Sequence, residues 1–194
     1  MAAPAPVSPL APKSAPRMPA LAGVRIATAQ AQPFSGSEQE AVTEVERLLR
    51  DSVRLRMIAD VPIGVLLSGG IDSTTVAALA QAESRGRVRT FTIGLPMESF
   101  DEAKAAAAVA RHLGTDHTEL TVTAEDALAA VPSVASAYDE PFADSSQLPT
   151  YLVCKLARRQ VTVCLSGDGG DESFAGYNRH LWGGAAARVA ETLP

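Results

Sequence analysis

The stretch VLLSGGIDS, residues 65–73, decides the fold. Its first residues belong to an apolar run, residues 62–67, that predicts a buried parallel strand, and Asp72 opens an Ala-rich helix predicted to reach residue 82. The two adjacent glycines between them allow a tight turn in which backbone N–H groups approach a ligand closely. Those N–H groups and the start of the following helix form an anion site. The stretch therefore predicts a strand, a phosphate-binding loop and a helix, with an ordinary strand-to-helix turn as the alternative.

The side chains of this loop suit a nucleotide that is bound together with a metal ion. Ser68 and Ser73 offer hydroxyl donors, and Asp72 is placed to hold Mg²⁺ against a phosphate. The spacing matches neither the G-x-x-x-x-G-K-[ST] phosphate loop nor the G-x-G-x-x-G dinucleotide fingerprint. It resembles the pyrophosphate-binding loop of the ATP pyrophosphatases, enzymes that adenylate a substrate and release pyrophosphate.

Composition limits the class of protein. The chain has 194 residues, 46% hydrophobic and 20% charged, which is typical of one globular domain with its own core. The net charge of −5 argues against a general nucleic-acid partner, and no apolar run approaches the ~20 residues of a membrane span. Cys154 and Cys164 fall in apolar segments without zinc-ligand spacing. We expect reduced core thiols and a cytoplasmic location.

The amino-terminal segment has a different composition from the rest. Its first twenty residues contain six prolines and six alanines, which disfavours a helix and leaves nothing to pack a core. We therefore expect a disordered Ala/Pro-rich tail over residues 1–34 and a domain over residues 35–194. A transit peptide and a mis-assigned translation start are the alternatives for the tail.

Strand and helix patterns alternate through residues 60–180. This alternation predicts an α/β fold with a parallel sheet, flanking helices and ligands at the carboxyl ends of the strands. Strands are predicted at 62–67, 88–95, 117–122 and 161–165, and helices at 37–57, 72–82, 101–113, 123–131 and 147–159. Capping boxes are predicted at Ser37–Glu40 and at Ser99–Glu102, and Thr123–Asp126 is predicted to cap the helix that follows it.

A second glycine loop, SGDGGDE at residues 166–172, follows the fourth strand, which is apolar and predicted to be buried. The topology places it at the same sheet edge as the first loop, so Asp72 and Asp171 are predicted to face one metal–triphosphate from two sides. Asp168 then remains as a carboxylate for proton transfer or for orienting a nucleophile. A calcium-like acidic loop and a solvated turn are the alternatives, although the EF-hand spacing is not met.

Five segments together resemble the synthetase domain of glutamine-dependent asparagine synthetases and of relatives such as β-lactam synthetase. These segments are residues 61–73, 91–95, 101–120, 138–151 and 163–180, and the resemblance covers about residues 38–185. The resemblance implies an adenine nucleotide α-hydrolase-like (ATP pyrophosphatase) fold, with ATP and Mg²⁺ as its ligands.

The resemblance also implies a reaction and a set of site residues. ATP would adenylate the side-chain carboxylate of aspartate and release pyrophosphate, and ammonia would then displace AMP to give asparagine. Asp168 would be the catalytic carboxylate, at a position where the family commonly has Glu, and Asp72 and Asp171 would hold Mg²⁺. The residues implied to bind ATP are Leu67, Ser68, Gly69, Gly70, Asp72, Ser73, Ile93, Ser166 and Gly167.

Two parts of the family pattern are missing from this sequence. The family's glutaminase half has a Cys directly after the initiator Met, whereas Ala2 stands here, so we expect no glutamine hydrolysis. The family's pyrophosphate-contacting Lys has no counterpart in residues 181–194. We therefore expect Mg–ATP binding with slow adenylate formation, with a separate glutaminase or a carboxyl-terminal segment as candidate partners. A nucleotide-binding remnant without turnover and an adenylating enzyme acting on another carboxylate or on tRNA are the alternatives, the tRNA substrate being disfavoured by the acidic charge.

Overall fold

The computed structural model describes residues 34–94, 102–138, 140, 144–174 and 176. The chain divides into two compact units, Met1–Val42 and Thr43–Pro194, and the packing described below belongs to the second. Helices are α1 (Glu38–Arg56), α2 (Ile71–Glu83), α3 (Glu102–Leu113), α4 (Ala124–Ala137), α5 (Gln147–Ala157) and α6 (Gly170–Phe174). Strands are β1 (Ile63–Leu66), β2 (Arg89–Gly94), β3 (Asp116–Thr121) and β4 (Val163–Leu165). The predicted tail lies almost wholly outside the described residues.

The four strands form one parallel sheet in the order β3-β2-β1-β4. Gly64 of β1 lies opposite Arg89 of β2, and Ile63 lies opposite Val163 of β4. The predicted α/β class with a parallel sheet and flanking helices is confirmed. Because all strands run the same way, the loops that follow β1 and β4 leave the sheet at the same edge.

The core has two hydrophobic clusters, one on each face of the sheet, and successive residues along β1 and just after it contribute to them in turn. Val65 and Leu67 join the first cluster and Leu66 packs on the second, as expected for side chains that alternate between the faces of a sheet. Alanines of α2 and α3 contribute to the first cluster, which lets these helices lie close to the sheet. Phe91 is fully buried in the second cluster and lies against Gly64, where a Cβ would come within 2.6 Å of the ring.

Three sequence predictions need correction. The fourth strand was predicted as buried, yet Val163 is 43% exposed, because β4 pairs only with β1 among the described strands and lies at the sheet edge. The helix predicted to end at residue 131 continues through Pro132 to Ala137. Proline cannot donate to the carbonyl four residues earlier, but Leu128 is 72% exposed, so water can solvate that carbonyl. The third correction concerns Cys154, predicted in the core but exposed.

The capping boxes and the ends of the helices follow simple rules. The box predicted at Ser37 is formed, and the cap predicted at Thr123 is present as a capping box; each makes reciprocal bonds with the acid three residues later. Gly114, which ends α3, has φ +71 as a left-handed terminal glycine should. The box predicted at Ser99 begins outside the described residues. Among the residues that the structure describes, no helix is long and apolar enough to cross a membrane.

His117 on β3 predicts a pH dependence of stability. Its Nδ1 lies 2.9 Å from the Thr90 hydroxyl, while its buried Nε2 has no hydrogen-bond partner in the described structure. Burial lowers the pKa of His117 from its usual value of 6.5, and the nearby Glu119 carboxylate opposes this only in part. Because the unfolded chain binds the proton more readily, this contribution to stability is present above pH 6.5 and is lost as the pH falls towards the lowered pKa.

Urea unfolding between pH 7.5 and 5 measures this effect. As the pH is lowered, we expect the urea midpoint to fall in the parent protein and equally in the control His112→Gln, which changes an exposed histidine. The midpoint should fall less in His117→Gln. Equal slopes for all three proteins would contradict the assignment.

Candidate functional site

The first glycine loop connects β1 to α2 and is held in shape by its two serines. The hydroxyls of Ser68 and Ser73 lie 2.9 Å apart, and the Ser68 N–H donates to the Ser73 hydroxyl over 3.2 Å. The Gly70 N–H donates to the Ser68 hydroxyl over 3.3 Å. The first N–H groups of α2 have no acceptor within the helix and point out of its start. The loop is therefore a preformed turn that presents donors to the space in front of the sheet.

Gly69 faces the opposite way, towards α3. Its φ is +85, and a Cβ there would lie 2.7 Å from the Ala105 Cβ and 2.8 Å from the Ala106 backbone nitrogen. Only glycine satisfies both the backbone conformation and this close approach. Gly69 thus sets the shape of the loop and its packing on α3.

The second glycine loop leaves β4 and enters the short helix α6. The Ser166 hydroxyl donates to Oδ2 of Asp168 over 3.0 Å, and the Asp168 N–H donates back to the same hydroxyl over 3.4 Å. Gly169 has φ +92, and the Gly170 N–H donates to the Gly167 carbonyl over 3.1 Å. These bonds fold the loop into a turn with the Asp168 side chain exposed.

The two loops touch each other directly. A Cβ on Gly167 would lie 2.6 Å from the Ser73 backbone nitrogen, at the start of α2. A Cβ on Gly170 would overlap the Asp72 carboxylate. The carboxylate therefore lies against the backbone beside Asp171, and both glycines are required for the loops to come together.

The contact between the loops forms one wall of a cleft of about 980 Å³. The cleft collects the predicted catalytic and metal-binding residues Asp168, Asp72 and Asp171. It also contains the predicted ATP-binding residues Leu67, Ser68, Gly70, Asp72, Ser73, Ile93, Ser166 and Gly167. Gly69 is the predicted site residue that does not line it.

The charge of the cleft is uniformly negative. Its acidic lining residues are Asp72, Glu102, Asp144, Asp168, Asp171 and Glu172, and no Lys, Arg or His is among the described residues that line it. A bare polyphosphate would be repelled here more strongly than its magnesium complex, which carries less negative charge. No cluster of three or more metal-ligating side chains exists among the described residues. Magnesium sites built from one or two carboxylates and substrate phosphates fit this arrangement.

Several lining residues were not assigned to the site from the sequence, among them four polar residues from three different segments. Thr92 lies near the carboxyl end of β2, and Glu102 is the first residue of α3. Asp144 accepts the Ser146 N–H over 2.7 Å, and its hydrogen bonds to Ser146 lower the pKa of the Asp144 carboxyl. Thr150 follows on α5. Their place at the ends of strands and starts of helices on one sheet edge was the available signal.

The two thiols lie near the second loop but are not activated. Desolvation, with a smaller contribution from the Asp168 carboxylate, raises the pKa of the Cys154 thiol, although the residue as a whole is exposed. Burial first, and then the neighbouring Cys154, raises the pKa of the Cys164 thiol to about 11. Both are protonated at neutral pH, which is unfavourable for a nucleophilic cysteine.

Comparison with known proteins places the sequence in one group. Residues 44–194 match the protein family described as asparagine synthase. The chain is 37% identical to "Asparagine synthetase [glutamine-hydrolyzing] 1" of Bacillus subtilis over 76% of its own length and 23% of the relative's. It is 43% identical to a putative glutamine-hydrolysing asparagine synthetase of Mycobacterium tuberculosis over 76% of its length and 22% of the relative's. The chain thus spans less than a quarter of these two relatives.

Among solved structures, the chain is similar to the NH3-dependent NAD synthetase of Campylobacter jejuni, with a TM-score of 0.48 and 13% identity. That likeness covers 70% of this chain and 60% of the other.

Proposed function

This chain belongs to the asparagine synthase family, and from that premise we propose that its cleft carries out the ATP-dependent half of an amide ligase. The substrate would be the side-chain carboxylate of aspartate, which is adenylated and then amidated by ammonia. The observation that carries the proposal is the contact between two glycine loops, with Gly167 and Gly170 against Ser73 and Asp72. That contact supports a nucleotide held between them. The relatives' names, glutamine-hydrolysing asparagine synthetases, support asparagine as the product.

The first loop would bind the triphosphate. Ser68 and Ser73 already hold their hydroxyls 2.9 Å apart at the start of α2, so they can turn their protons to phosphate oxygens without rebuilding the loop. The N–H groups at the start of α2 add backbone donors of the kind that stabilise an anion. The adenosine end would lie along Leu67, Ile93, Ser166 and Gly167, which line the same cleft.

Asp72 and Asp171 would hold Mg²⁺ in this proposal. Both are carboxylates, the donor type that Mg²⁺ prefers, and both line the cleft on the side of the loop contact. When bound, the ion would neutralise phosphate charge and offset the acidic lining. The fit is one of charge and donor chemistry, since a Mg²⁺ bound with two carboxylates and substrate phosphates needs no larger protein cluster.

The reaction balances in two steps. A carboxylate oxygen of aspartate attacks the α-phosphorus, the bond from that phosphorus to the bridging oxygen breaks, and pyrophosphate leaves. Ammonia then attacks the acyl carbon, gives up a proton and displaces AMP, which leaves asparagine. Asp168, held by the Ser166 hydroxyl over 3.0 Å and exposed to the cleft, would accept that proton.

The nitrogen source and the products test this proposal. We expect ATP, aspartate and ammonium to yield asparagine, AMP and pyrophosphate, because attack at the α-phosphorus leaves no ADP. We expect no glutamate from glutamine, because neither Cys154 nor Cys164 is an activated thiol. Chromatography of nucleotides and amino acids measures both. ADP as the product, or glutamate released from glutamine, would contradict the proposal.

A further inference from the structure

The edge of the sheet opposite the cleft carries an unusual amount of positive charge. We call it the arginine edge, and its members are Arg85, Arg87, Arg89, Arg111, Arg158 and Arg159. They lie where strands begin and helices end: before and at the start of β2, in the last turn of α3, and between α5 and β4. All six are exposed. In a parallel sheet these positions share one edge.

Hydrogen bonds fix part of the arginine edge in place. The Arg87 guanidinium donates to the Gly114 carbonyl over 3.0 Å and to the Thr115 carbonyl over 2.7 Å. The Arg89 guanidinium donates to the Gln160 carbonyl over 2.7 Å. These bonds connect the segments that precede β2, β3 and β4, and those segments carry the six residues. Hydrogen bonding to the carbonyls that follow α3 and α5 accounts for the presence of Arg87 and Arg89, but not for the other four arginines.

Among the described residues, no member of the arginine edge forms an ion pair. The ion pairs of arginine in the described residues are instead formed by Arg47, Arg50 and Arg54 of α1. Asp116 lies opposite Arg89 in the sheet register, yet no ion pair joins them. The whole chain carries −5, so this surface is a local reversal of the net charge.

We propose that the arginine edge is a docking surface for an acidic protein segment that presents several Asp or Glu side chains. Guanidinium groups match carboxylates in charge and in planar geometry. Residues 1–33 of this chain contain no Asp or Glu, so they cannot supply the segment. No Phe, Tyr or Trp occurs in the flanking residues 84–89, 111–117 and 158–162, so the large aromatic side chains on which single-stranded RNA sites commonly stack bases are absent from these segments.

The acidic cleft at the opposite edge of the sheet also favours binding of an acidic segment at the arginine edge rather than at the cleft. Six carboxylates line that cleft, so an acidic segment is repelled there and attracted to the arginine edge. The two ends of the sheet would therefore serve different partners: Mg–ATP at the carboxyl edge and an acidic segment at the amino edge.

Fluorescence anisotropy with a labelled peptide of ten glutamates tests the proposal. We expect binding at 50 mM NaCl that weakens strongly at 300 mM, since the contacts are exposed charges. Substitution of Arg85→Gln together with Arg159→Gln should weaken binding about tenfold, which corresponds to two exposed ion pairs. The matched control, Arg47→Gln with Lys104→Gln, removes the same charge from the middle of α1 and the first turn of α3, and should bind as the parent does.

Four outcomes would overturn the proposal. These are no binding at 50 mM NaCl, equal weakening in the control variant, tighter binding of poly(U) RNA than of the peptide, and self-association in sedimentation that the arginine-edge variant abolishes. The third would indicate RNA as the partner, and the fourth a second copy of this chain.

Discussion

Asparagine in place of Asp72 is expected to lower the affinity for Mg–ATP by at least tenfold, and adenylate formation by about 10²–10³-fold. The carboxylate lies against the Gly170 backbone where the two loops meet, and it is one of two acids assigned to the metal. The amide keeps the size of the side chain but loses the charge that holds Mg²⁺. Titration calorimetry with Mg–ATP, and with ATP in the presence of a chelator, measures the change.

The matched control for Asp72→Asn is Asp116→Asn. Asp116 is exposed and begins β3 at the edge opposite the cleft, so the same chemical change there should leave Mg–ATP affinity unchanged. The Asp72 variant should bind metal-free ATP no more weakly than the parent, because a repulsive charge has been removed. Equal Mg–ATP affinity for Asp72→Asn and the parent would remove Asp72 from the metal site.

Alanine in place of Gly69 is expected to lower the free energy of unfolding by about 3 kcal/mol. Part of this cost is the left-handed backbone, with φ +85, which disfavours a side chain by about 1–2 kcal/mol. The rest comes from the new Cβ, which would lie 2.8 Å from the backbone nitrogen of Ala106. Backbone cannot move aside as a flexible side chain can, so α3 must shift.

Two other glycines separate these contributions. Gly114 has φ +71 but open space around it, so Gly114→Ala should show the backbone cost alone, about 1 kcal/mol. Gly86 has open space and no left-handed φ, so Gly86→Ala should be near neutral. Urea unfolding of the three variants gives the comparison. A cost for Gly69→Ala no greater than for Gly114→Ala would show that the packing on α3 is unimportant.

The sequence predicted the parts of the site that short-range rules control. A buried strand, a Ser-Gly-Gly turn and an acid at a helix start specify the loop around Asp72 almost by themselves, and alternation of strands and helices specifies the shared edge. The same rules cannot tell which of two adjacent glycines faces a ligand and which packs on a neighbouring helix. Gly69 was therefore grouped with Gly70, although only Gly70 lines the cleft.

The remaining differences arise from tertiary context. The burial of β4 depends on whether a strand pairs beyond it, which residues 161–165 do not reveal, and Val163 proved exposed. Pro132 is normally a helix breaker, but an exposed helix can solvate the carbonyl it leaves unpaired. Glu102 and Thr92 reach the cleft only because β2 lies beside β1, a neighbour relation that the chain order does not state.

The acidic lining of the cleft explains why the proposed nucleotide binding should depend on Mg²⁺. Six carboxylates around the first glycine loop would oppose the polyphosphate that we propose this loop binds. The proposed Mg²⁺ resolves this conflict, because Mg–ATP carries less negative charge than free ATP. Removal of Mg²⁺ should therefore abolish nucleotide binding rather than merely slow a later step.

Exchange of radiolabelled pyrophosphate into ATP tests the central claim most directly, because label returns to ATP only if a carboxylate has been adenylated reversibly. The exchange is predicted to require Mg²⁺ and L-aspartate, to proceed without any nitrogen source and to be about 10²–10³-fold slower in Asp72→Asn. Long incubation also registers a slow enzyme. A chain that binds Mg–ATP but incorporates no label with aspartate would contradict aspartate adenylation, and label incorporated with another carboxylate instead would assign a different substrate.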